Sequence, residues 1–162
     1  MIWYKIKELE KLLVAGQVSD LLTYKYLLSH LLLFALINNF PDAGGDAAPL
    51  WAPWIRLIIV LVAISWGIGK TFEINRTGDN RDYFKRLISL SMVSSLRTLV
   101  VFFIFAAIMS TALLMAARMG FTLIEDGVWR EIFKLANYLF LLLVYYYILI
   151  SSFIRINASG ED

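Results

Sequence analysis

The residues of this chain that could do chemistry are few. His30 is the only histidine, and at helical spacing it shares a face with Thr23 and Tyr26 in an apolar segment. An imidazole at membrane depth could move a proton or ligate a metal or haem. One histidine cannot supply a metal site unaided, and bis-histidine haem would need a second copy of the chain. The plainer role is a neutral ring hydrogen-bonded to another helix. Tyr145, Tyr146 and Tyr147 follow one another in a second apolar segment, where Tyr138, Tyr145 and Ser152 recur every seven residues. That spacing matches a left-handed helix contact, with a tyrosine-lined quinone or lipid pocket as the sharper alternative. The expected intramembrane contact is His30 with Tyr145, since each would otherwise be an unsatisfied polar group in hydrocarbon.

Outside the apolar segments the densest polar cluster is Asn75, Gly78, Asp79, Asn80, Arg81 and Asp82. It lacks the ordered oxygen spacing and terminal Glu of a calcium loop, and it is not a glycine-rich phosphate loop. A helix stop at Gly78, followed by a cap at Asp79 for a new helix, accounts for it. Arg76, Arg81, Lys85 and Arg86 concentrate charge around this cluster and are expected to form a basic cytoplasmic surface, each gaining about 1 kcal/mol beside anionic lipid. There are no cysteines, which removes disulfides, thiolate nucleophiles and Cys-ligated metal. No Asp or Glu falls within a spanning segment as delimited below, so paired-carboxylate hydrolysis and carboxylate proton relays lack their reagents. The residues specify no cofactor.

The elements that must position these groups follow from hydropathy. In 162 residues, 60% are hydrophobic and 17% charged, with a mean hydropathy of +0.70. A soluble fold this small could not hide so much apolar surface. Crossing a hydrocarbon core takes roughly 20 apolar helical residues, and four segments qualify: 21–40, 51–69, 98–117 and 135–154. Pro41, Pro49 and Pro53 flank the Gly- and Ala-rich stretch between the first two, which reads as an outer loop. Lys5, Lys7 and Lys11 precede the first span and Lys25 stands near its start, and six Lys or Arg residues run from Lys70 to Arg97. The positive-inside bias therefore puts the N-terminus, the second connection and the C-terminus in the cytoplasm. Ala43-Gly44-Gly45 could pass as a signal-cleavage site, but the long arm before it, with Glu8, Glu10 and Asp20, argues against cleavage.

Two amphipathic helices complete the expected architecture. Ile2, Trp3, Ile6, Leu9 and Leu13 recur opposite Lys5, Glu8 and Lys11, which predicts an interfacial N-terminal helix with Glu10 misplaced on its apolar arc. From Asp79 on, Tyr83, Phe84, Leu87 and Ile88 oppose Arg81, Asp82, Lys85 and Arg86, predicting a cytoplasmic helix before the third span. Ala106, Ala107, Ser110, Thr111 and Ala112 give small-xxx-small spacing on that span, and Ala63 with Gly67 does so on the second.

The expectation is thus an all-α integral membrane protein: a single four-pass domain over 1–162 in a bacterial-type inner or plasma membrane. The function expected is that of a non-catalytic subunit associating with itself or a membrane protein partner. Its 15 basic residues are scattered, with a net charge of only +2, so nucleic acid is not among the expected partners. A homo-oligomeric channel or transporter lined by Ser, Thr, Asn and Tyr is the alternative, and a quinone- or lipid-handling enzyme using His30 and the tyrosines is the third.

Overall fold

Long apolar runs without interior proline become helices, and among the described residues every regular element is one. The computed structural model describes residues 2–39, 49–118 and 127–158. They form α1 (Ile6–Val14), α2 (Asp20–Asn39), α3 (Ala52–Thr77), α4 (Tyr83–Arg118) and α5 (Gly127–Ala158). Pro41, the Ala43-Gly44-Gly45 triplet, Glu125 and Asp126 lie outside the described residues. Among the described residues three helices are long and apolar enough to cross a membrane, over Ala52–Thr77, Tyr83–Ala112 and Glu131–Ala158. Their large side chains point outward: Val62, Phe103 and Ile104 are each at least 57% exposed. A face of that kind is stable only against lipid or another protein.

The expected separate helix before the third span does not exist as an element. The chain from Tyr83 to Arg118 is one helix of 36 residues, about 54 Å long against a hydrocarbon core of about 30 Å. No Gly or Pro interrupts it, so nothing stops the hydrogen-bond ladder where the amphipathic stretch meets the apolar one. Asp79 likewise does not cap a helix. Its carboxylate accepts the Arg81 backbone N–H within the turn, while Asn80 and Asp82 take the left-handed conformation, at φ 51° and 44°, that Asn and Asp tolerate best among non-glycine residues.

α1 ends in a Schellman turn. The Gly16 N–H bonds the Leu13 carbonyl and the Gln17 N–H the Leu12 carbonyl, with Gly16 at φ 65° supplying the left-handed residue that closes the motif. This turn reverses the chain between α1 and α2, so that Ile2, ahead of α1, meets the Tyr26 hydroxyl of α2. The face α1 buries, Ile6, Leu9, Glu10 and Leu13, is covered by α4 and α5.

Among the described residues α4 is the centre of the arrangement, touching every other helix, while α2 packs on α4 alone and α3 packs mainly on α5. The order across the bundle is therefore α2, α4, α5, α3. Asp20 meets Lys85 and His30 meets Ser95, both pairs 65 residues apart in sequence, so α2 and α4 run parallel and in step. The buried core is concentrated where α1 joins α4 and α5, around Leu9, Leu90, Val93, Leu149, Phe153 and Ile156. Gly67 sets the spacing of α3 and α5. A Cβ there would fall 1.9 Å from the Tyr146 ring, so a hydrogen at this position lets the ring lie on the α3 backbone.

Candidate functional site

The polar groups collect at the basic end of the bundle, and most are fastened to one another. The turn after α3 brings Asp79 over α4, where it receives Arg86 in a bidentate ion pair. Arg86 also donates to Asn75 Oδ1 at 3.0 Å, and the arginine is only 1% exposed. The guanidinium holds the Asp79 carboxyl below its ordinary range, helped by the backbone N–H of Arg81. Asn157 of α5 reaches across to donate to the Ile74 carbonyl near the end of α3, packed so tightly on Gly78 that a Cβ there would meet its side chain at 2.3 Å. Thr71 and Tyr83 share a hydroxyl contact of 3.1 Å beside them. Three helices are thereby pinned at one level.

A second junction ties down α1. Arg155 donates through Nε and Nη2 to both Glu10 oxygens, at 2.6–3.2 Å, and through Nη2 to Ser152 Oγ at 3.0 Å. At the other end of α1, Arg97 donates to the Tyr4 carbonyl at 2.8 and 3.2 Å and stacks over the Tyr4 ring. The Tyr26 hydroxyl accepts the Ile2 N–H and donates to the Ile2 carbonyl. Glu10, out of place on an apolar arc by sequence, is thus the carboxylate that docks the helix.

The expected basic surface does not hold together as one patch. Arg76 and Arg81 are exposed, Lys85 pairs with Asp20 at 2.8 Å, and Arg86 is in the core rather than on the surface. The correction has a simple cause. Arg86, Leu90 and Val93 recur at helical spacing, so the arginine stands on the buried face of α4, where Asp79 can reach it. That spacing was a signal the grouping of Arg86 with Arg81 and Lys85 overlooked.

The expected His30–Tyr145 contact is also replaced. His30 Nδ1 lies 3.5 Å from Ser95 Oγ, at the long limit of hydrogen bonding, and Tyr145 is served by Ser91, one turn earlier on the same helix. α4 stands between α2 and α5, and its serines meet the histidine from one side and the tyrosine from the other. Ser89 and Ser94 of the same helix are fully buried, and their hydroxyls have no partner among the described residues. No group of three or more His, Cys, Asp or Glu able to hold a metal occurs among the described residues.

What this arrangement can do chemically is hold charge and surface in place. Among the described residues Arg86 faces Asp79 and Arg155 faces Glu10, while Lys7, Lys11, Arg76 and Arg81 are exposed. Comparison with protein-family models, curated proteins and solved structures finds no match to the chain.

Proposed function

We propose that this chain is a four-pass, non-catalytic membrane subunit that assembles with itself or with a membrane protein partner, both termini and the basic end of the bundle lying in the cytoplasm. The observation that carries the reading is the small-residue face of α4. Ala107, Thr111 and Ala112 are exposed and, with Ile108 and Met115, line an open groove of about 430 Å³ to which, among the described residues, no other helix contributes. Small residues let backbones approach where no hydrophobic effect drives helices together. Pairing of Arg86 with Asp79 and of Arg155 with Glu10 supports a structural use of the charged groups.

A fourth crossing by α2 is supported by its 20 residues, its parallel run beside α4 and the single charge, Lys25, after its first residue. Arginines gripping Tyr4 and Glu10 support an α1 held at the cytoplasmic boundary. Cysteines introduced into this cysteine-free chain test the topology: Arg81→Cys should label only from the cytoplasmic side and Ala47→Cys only from outside. Labelling of position 81 from outside would end the topology.

Assembly is tested by mass analysis after mild-detergent purification. Wild type should run as a multimer or with a stoichiometric protein partner, and Ala107→Leu with Ala112→Leu should release monomer. A monomeric wild type with no partner would refute the subunit reading.

The hydroxyls of Ser89 and Ser94 favour a second reading, a homo-oligomeric channel, because buried hydroxyls without protein partners are satisfied by water. Conductance in liposomes, abolished by Ser94→Val, would decide for it.

A further inference from the structure

The junction of α1 with the end of α5 leaves a groove beside the Glu10–Arg155 pair, both of which line it. It has a volume of about 460 Å³, within the range of small-ligand sites. Val14, Ala15 and Ala158 line it with apolar surface, and Lys7, Lys11, Arg155 and Glu10 bring charge to it. The Arg155 charge is matched by Glu10. Lys7 and Lys11, one helical turn apart and both exposed, form no ion pair among the described residues. The groove therefore carries an excess of about two positive charges beside its apolar surface.

Its level in the bilayer is set by its neighbours. Trp3 and Tyr4 are 48% and 60% exposed at the start of the same segment, the placement that amphipathic rings take at a headgroup boundary. Arg155 sits one residue past the last apolar run of α5, where a span meets the cytoplasmic leaflet.

We infer that this groove binds the phosphodiester headgroup of an anionic phospholipid of the cytoplasmic leaflet. Lys7 and Lys11 take the phosphate, and Val14, Ala15 and Ala158 receive the glycerol and first methylenes. Compact ammonium groups suit a phosphate as point charges, and the apolar lining is what separates a lipid from a free anion. The inference rests on the membrane-subunit reading, to which it adds a lipid that would fix the position of α1.

The test uses the full chain, taken in mild detergent from vesicles of phosphatidylcholine with phosphatidylglycerol and read by native mass analysis. Wild type should retain phosphatidylglycerol in preference to phosphatidylcholine. Each interfacial cation is worth about fivefold, so Lys7→Gln with Lys11→Gln should weaken that preference about twenty-five-fold. Lys7→Arg with Lys11→Arg should keep it, as should Arg76→Gln with Arg81→Gln. An unchanged preference in the Lys7→Gln, Lys11→Gln protein overturns the assignment, as does displacement of the lipid by inorganic phosphate, which would make the site one for a free anion. The same preparation reports assembly. Assembly retained without a lipid preference sinks the lipid site alone, and a lipid-selective monomer without partners sinks the subunit reading alone.

Discussion

Arg86 and Asp79 meet across the turn that joins α3 to α4, the guanidinium buried at 1% exposure and the carboxylate at its open side. A charge stripped of water in this way is stable only while its partner stays. Arg86→Met alone should therefore cost about 3 kcal/mol, and Asp79→Asn a similar amount, since each leaves the other uncompensated. The double variant should cost clearly less than the two together. Thermal unfolding in detergent checks the cycle, and strict additivity would show that the two groups do not form an energetic pair.

The same pair sets an acid limit. Asp79 titrates below its ordinary value of 3.8 because Arg86, and then the Arg81 N–H, stabilise the ionised form. A carboxyl depressed in the folded state contributes stability that is present above the unfolded value and lost as pH falls through the folded one. Unfolding curves should be insensitive to this group above about pH 5, and stability should fall below it. Asp79→Asn should flatten that fall. An unaltered acid slope in the variant would assign it to other carboxylates.

Gly67 and Tyr146 make a steric prediction. A methyl at position 67 has no room beside the ring, and ring and α3 backbone cannot both stay where they are. Gly67→Ala should destabilise by about 1–3 kcal/mol, the range of overpacked cores, and Tyr146→Leu should relieve part of that loss in the double variant. A neutral Gly67→Ala would mean that α3 and α5 do not pack at this distance.

His30 and Tyr145 should prove independent. With α4 between them and a separate serine for each, His30→Phe and Tyr145→Phe should each cost on the order of 1 kcal/mol and add without coupling. A coupling energy above about 0.5 kcal/mol in the cycle would restore a direct contact between them.

The membrane character of this protein was written in its sequence, because hydrocarbon imposes a one-dimensional rule. Enough consecutive apolar residues must form a helix that satisfies its own backbone, and α3, α4 and α5 obey it wherever the chain around them goes. Local chemistry was legible for the same reason: Gly78 follows the last residue of α3, and Lys5, Glu8 and Lys11 stand opposite the buried arc of α1. Glu10 stood out of place on that arc, with no partner indicated. Which cation would answer it, Arg155 from 145 residues away, depended on α5 returning beside α1, and no local pattern carries that. Arg86 passed for a surface charge because charge alone suggests water, whereas burial is decided by what folds over the site, here Asp79 from the preceding turn. His30 and Tyr145 were matched by depth and by the need of each for a polar partner. Depth says how far along a helix a group stands and not which helix is its neighbour, and it was the order of packing, with α4 between α2 and α5, that gave each of them a serine instead.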